Sequence, residues 1–229
     1  MVQGGVGRKH FLGVGARTGM RWMHGCGGPA MAEVGGARRA WFNSGMDVAD
    51  EPLAALRAAT GAAHARLDAG LDVAGRLADP VARTALLAGY KCFFGSVEAA
   101  AAPFADALPG LDFARRRRAG RIDAPALPLR ALPVGDAAAA LGALYVMEGA
   151  TLGGRVILRG LAVDAATRAR LGFLDPYGAA SGAMWRRFCE ILTAVVPTRP
   201  DGLAAAVAAA VATFGVAETC LAPRATRRA

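Results

Sequence analysis

At 229 residues, with 54% hydrophobic and 20% charged residues, the chain is long enough to bury a full core and reads as one soluble globular domain. Its abundance of Ala, Leu and Arg, beside only three Tyr and three Trp, favours helices over strands, so the expected class is all-α. The net charge of +9 raises the question of an anionic partner, but over half of that excess lies in the first 45 residues.

Cys26, Cys92, Cys189 and Cys220 lie far apart and form no CxxC pair, so neither a zinc ribbon nor a disulfide scaffold is suggested, and a reducing, cytoplasmic setting fits. No run of eighteen uninterrupted apolar residues occurs. The best candidate, "LAAAVAAAVATFGVAETCL", is broken by Glu218, and no membrane span is expected.

In chain order, residues 1–45 hold 12 of the 30 glycines and show no apolar periodicity. They read as a disordered Gly/Arg-rich leader or as a spurious N-terminal extension, with Met46 the alternative start; an organelle transit peptide would carry more Ser and an amphipathic period. The folded domain then spans 46–229. Leu53, Leu56, Thr60, His64, Leu67 and Leu71 recur at helical steps in a first helix, with Pro52 in its first turn. A second helix is expected over about 80–102, with Leu86, Leu87, Tyr90, Phe93, Phe94 and Val97 facing inward. A helical piece follows around "FADALPGLDFARRRRAGRI", then a loop punctuated by Pro125, Pro128 and Pro133. Three more helices are expected, over about 136–160, 179–196 and 201–221. The sum is a bundle of six or more helices.

His64 is the only histidine of the folded part. On an apolar stripe it is either a core histidine satisfied by a hydrogen bond or a ligand. Asp68, at i+4, is placed to hold its second ring nitrogen, as expected behind a metal-ligating histidine. One histidine cannot build a di-iron bundle or a zinc hydrolase, and no G-x-S-x-G occurs for a triad; haem, whose iron brings four nitrogens, needs only one. Arg57 lies two turns earlier, within reach of a carboxylate at a ligand's edge.

The fourth helix places Gly149, Gly153 and Gly154 in its apolar middle, each costing about 1 kcal/mol relative to alanine. A bare face of this kind serves close helix packing or a flat ligand, and it also permits a kink with exposed carbonyls. The run Arg115–Arg118 with Arg121 reads as a solvated helix face or as a docking patch for an acidic electron donor; nucleic acid is disfavoured, since no aromatic platform accompanies it. Trp185 and Phe188 are expected in the core.

Two of these stretches together resemble a known family. "LRAATGAAHARLD" is similar to the proximal helix of haem oxygenases, and "LGALYVMEGATLGGRVILR" to the distal helix of their bacterial, phytochrome-associated branch; the likeness covers about residues 51–222. It implies a multi-helical haem oxygenase-like bundle with haem b, at once substrate and prosthetic group, between the two helices. It further implies oxidative cleavage of haem to biliverdin, CO and ferrous iron, using O2 and an electron donor such as ferredoxin with its reductase, and a bacterial phytochrome as recipient of the biliverdin. Carried over by position, His64 is the axial ligand of the haem iron, Asp68 stands where the family usually has Glu, and Gly149, Gly153 and Gly154 form the catalytic distal face. Arg57, with Arg186 or the competing Arg187, falls where relatives bind the haem propionates. Ala150 departs from the pattern, because some members carry Asp there and the phytochrome-linked branch usually Ser. Proton delivery would then fall to backbone carbonyls and ordered water, with Thr151 as a candidate helper. The shorter Asp68 is expected to reach His64 directly or through a water. The alternative is a haem-binding or haem-buffering protein of the same scaffold without turnover.

Overall fold

The computed structural model describes residues 51–222, so the expected leader lies outside the described residues. Eight α-helices and four short 3-10 turns make up the described chain, with no strand among them. The helices are α1 (Glu51–Leu71), α2 (Val73–Ala78), α3 (Pro80–Ala105), α4 (Phe113–Arg116), α5 (Ala137–Gly160), α6 (Ala165–Arg170), α7 (Ser181–Val195) and α8 (Gly202–Leu221).

The long helices begin where their capping residues stand. Asp79 accepts from the N–H groups of Val81 and Ala82 at 2.7 and 3.0 Å, with Pro80 in the first turn of α3. Asp136 accepts from Ala139 N–H at 2.8 Å and opens α5. At the other end of α5, the Arg168 guanidinium donates to the carbonyls of Leu158 and Leu161 at 2.6 and 2.7 Å, taking up acceptors the helix leaves unpaired. The short α2 and α6 were not expected. At six residues they are too short to show a period, and Asp72 and Asp164 cap them.

α8 is the central packing partner, lying against α1, α3 and α5. Its apposition to α5 rests on glycine: a Cβ on Gly142 would stand 2.0 Å from the Ala206 carbonyl oxygen, so only a bare Cα admits α8 at this distance. Around that contact Leu141, Leu144, Met147, Phe94, Phe188 and Leu192 are fully buried. Trp185 stacks on Phe188 at 5.8 Å within the core. In an exposed helix Gly142→Ala would gain about 1 kcal/mol. Here it is expected to lose about 1–3 kcal/mol through overpacking against backbone. Urea unfolding decides the sign, and a raised midpoint would mean that α5 and α8 can move apart without loss.

Measured by mean hydropathy and not by uninterrupted runs, α5 and α8 are each long and apolar enough to cross a membrane. α5 turns that surface inward, with 72% of its most apolar window buried in the bundle; the figure for α8 is 39%. The spaced cysteines also prove to be neighbours in part. Cys220 Sγ lies 3.2 Å from Cys92 Sγ, and burial pushes the Cys220 thiol up to about 12, which keeps it protonated.

Candidate functional site

α1 and α5 meet first at Arg57, Thr60 and Tyr145. The Tyr145 phenol is hydrogen-bonded by Thr60 and Arg57, and burial pushes it up to about 12 against the pull of the Arg57 charge. Farther along both helices a cavity of about 1340 Å³ opens, above the ~300–1,000 Å³ common for small-molecule sites. His64, Leu67 and Asp68 line it from α1, and Val146, Gly149, Ala150 and Gly153 from α5. Phe93 and Phe94 of α3, Phe173, and Phe214 of α8 complete an apolar interior. A shallower depression of about 830 Å³ between the starts of α1 and α8 is lined mostly by alanine and other apolar residues and gathers no comparable chemistry.

His64 is half-buried at the edge of the apolar stripe. Its Nδ1 lies 3.1 Å from Asp68 Oδ2, so the shorter carboxylate reaches the ring without a water. The ring also stands edge-on to Phe214 at 5.9 Å, which restricts its rotation. Among the described residues no three His, Cys, Asp or Glu side chains gather to hold a bare metal ion.

The glycines of α5 divide their labour. The helix runs without interruption through all three. Gly149 and Gly153 line the cavity. Gly154 also borders it, but a Cβ there would stand 2.3 Å from the Leu174 carbonyl oxygen, so its bareness admits the 3-10 turn at Gly172–Leu174. The family resemblance implies one ligand-facing surface for all three, whereas Gly154 also serves packing.

Set beside families, curated proteins and solved structures, the chain matches none.

The arginines expected at a carboxylate edge do not line the cavity. Arg57 is drawn to Tyr145, whereas Arg186 and Arg187 are exposed on α7, with Arg187 bonded to Glu190 and the Gly110 carbonyl. The cavity's arginines are Arg118, Arg155 and Arg159. Arg155 pairs with Asp175 at 3.2 Å, and Arg159 is exposed at the rim.

Arg118 belongs to the run read as a solvated face, and that reading is corrected for half of the run. Arg115 and Arg117 are exposed, but Arg116 and Arg118 are buried to 0 and 1% exposure around Glu148. Arg116 Nη1 lies 2.9 Å from Glu148 Oε2, while its Nε and Nη2 donate to the carbonyls of Leu111 and Met184. Arg118 Nη2 donates to Thr151 Oγ1 at 2.6 Å and to Glu148 Oε1 at 3.3 Å. Tyr177 donates its hydroxyl to the same Oε1 at 2.7 Å, and burial with the Glu148 charge raises its phenol to about 12. Thr151 is thus engaged by Arg118 and does not line the cavity. The sequence carried one signal of this cluster: Glu148 is the only acid of α5 and stands in its most apolar half, where an ionised carboxylate needs a buried cation.

Proposed function

We propose that this chain is a haem oxygenase, with the haem held in the cavity between α1 and α5. The observation that carries the reading is the pairing, in one large apolar cavity, of a single carboxylate-supported imidazole with a stretch of α5 that presents Gly149, Ala150 and Gly153. A lone imidazole suits a metal that arrives with four ligands of its own. The apolar interior and the wide volume suit a flat macrocycle.

In this reading His64 would hold the haem iron. Asp68 accepts from Nδ1–H, which fixes the tautomer and the orientation of the ring. Gly149, Ala150 and Gly153 would present little more than backbone to a bound ligand from the α5 side of the cavity. Phe93, Phe94 and Phe214 would keep bulk water from a ligand held in this cavity. When bound, haem supplies the iron that activates O2 and is itself the substrate, yielding biliverdin, CO and ferrous iron. Electrons come from a donor such as ferredoxin with its reductase, in the cytoplasm, and exposed Arg115 and Arg121 remain available for such an acidic partner.

A haem-binding protein without turnover is the second reading. Ala150 offers no hydroxyl or carboxylate to the cavity, and Thr151 is held by Arg118, which favours it.

The full chain is titrated with hemin while the Soret band is followed, then given ascorbate, or ferredoxin with its reductase, in air. Decay of the Soret band to a biliverdin spectrum is the expected result. A stable Soret band leaves the binding protein, and no shift on adding hemin removes both readings. His64→Ala is expected to abolish the axial-imidazole spectrum; an unchanged spectrum takes His64 out of the site.

A further inference from the structure

Among the described residues three charged side chains are fully buried: Arg116, Arg118 and Glu148. Two guanidiniums therefore share one carboxylate. Arg116 has the closer contact, at 2.9 Å, and two carbonyl acceptors besides. Arg118 has the longer one, at 3.3 Å, to an oxygen that also accepts from Tyr177. Glu98, a further acid beside this segment, accepts from the backbone N–H groups of Arg118 and Ala119. The Nε of Arg118 is buried and has no hydrogen-bond partner, and its residue lines the cavity. Neutral rings at 5.3 Å (Phe94) and 5.6 Å (Tyr177) soften the charge without cancelling it. A buried cation left partly unpaired is costly, and a negative group in the adjoining cavity would relieve it.

We infer that Arg118 is an anion-recognition residue inside the cavity, and that the ligand is an apolar molecule bringing an acidic group of its own to this guanidinium. The inference rests on reading this cavity as a ligand site and adds to it the charge of the ligand. Arg118 then selects an acid over its neutral counterpart, while the aromatic interior supplies affinity to both.

Two fluorescent probes of one shape class test this on the full chain: 8-anilino-1-naphthalenesulfonate, which is anionic, and N-phenyl-1-naphthylamine, which is neutral. The wild type is expected to prefer the anion. Arg118→Gln is expected to weaken the anion by about tenfold or more, the loss of one charge-assisted hydrogen bond, and to leave the neutral probe unchanged. Arg118→Lys is expected to keep most of the preference. Equal anion affinity in wild type and Arg118→Gln overturns the inference, as does parallel loss of both probes, which assigns Arg118 to holding the fold. Failure of the wild type to bind either probe overturns it too. A wild type that ignores hemin yet shows the Arg118-dependent preference defeats the haem reading and leaves this one standing.

Discussion

Replacing Glu148 with alanine is expected to cost about 3–5 kcal/mol of folding stability, the penalty for breaking a buried ion pair from one side. The size follows from what the carboxylate serves. One oxygen faces Arg116 at 2.9 Å, and the other takes Arg118 at 3.3 Å and the Tyr177 hydroxyl at 2.7 Å. Its removal strands two guanidiniums with almost no access to water. Domains of this kind have about 5–15 kcal/mol to lose, so the variant sits near the edge of folding. Glu148→Gln keeps the shape and one acceptor oxygen but not the charge, and is expected to lose less than Glu148→Ala. Guanidinium chloride unfolding of both variants checks the order. A loss below about 1 kcal/mol in Glu148→Ala, the scale of an exposed pair, would show that water enters the cluster and solvates the arginines.

That cluster also marks where the sequence stopped being legible. The long helices α1, α3, α5, α7 and α8 could be read because each repeats its apolar stripe over several turns, and the observed ends lie within about three residues of those expected. The pairing of His64 with Asp68 could be read because both lie on one helix, where spacing fixes distance. Arg116 and Arg118 could not, because they lie where α4 ends and the backbone turns extended at Arg117. There burial alternates from residue to residue, and no helical wheel describes it. Their partner Glu148 is 30 residues or more away in sequence, and only the tertiary fold brings the charges together. The same limit explains Arg57 and Arg186. Sequence gives a residue its face on a helix, but which neighbour covers that face depends on packing.

The glycines of α5 show that one residue type can answer to two constraints within a single helix. Gly142 and Gly154 are bare because backbone from elsewhere lies where a Cβ would be, at 2.0 and 2.3 Å. Both approaches are decided by segments distant in the chain, α8 and the turn at Gly172–Leu174, so their cause is absent from the local pattern. Gly149 and Gly153 instead border open volume. A helix that accepts the propensity cost of four interior glycines gains a tight seam from two of them and a cavity wall from the others.

Gly153→Leu is therefore expected to separate binding from stability. A leucine at this position puts four carbons where the cavity now lies, at the turn that faces the proposed ligand, and is expected to weaken hemin binding roughly 10- to 100-fold, the scale of 1–3 kcal/mol of overpacking. The helix itself gains propensity, since Leu exceeds Gly by close to 1 kcal/mol, so the unfolding midpoint of the apoprotein is expected to hold or rise. Gly154→Leu, one residue on, reverses the pattern. Its side chain meets the Leu174 carbonyl, and folding stability is expected to fall by about 1–3 kcal/mol or more. Hemin titration and urea unfolding of both variants give four numbers whose ordering is fixed in advance. Unimpaired hemin binding and normal biliverdin output from Gly153→Leu would remove the α5 turn from the site, and with it the reading of this cavity as a slot for a flat ligand.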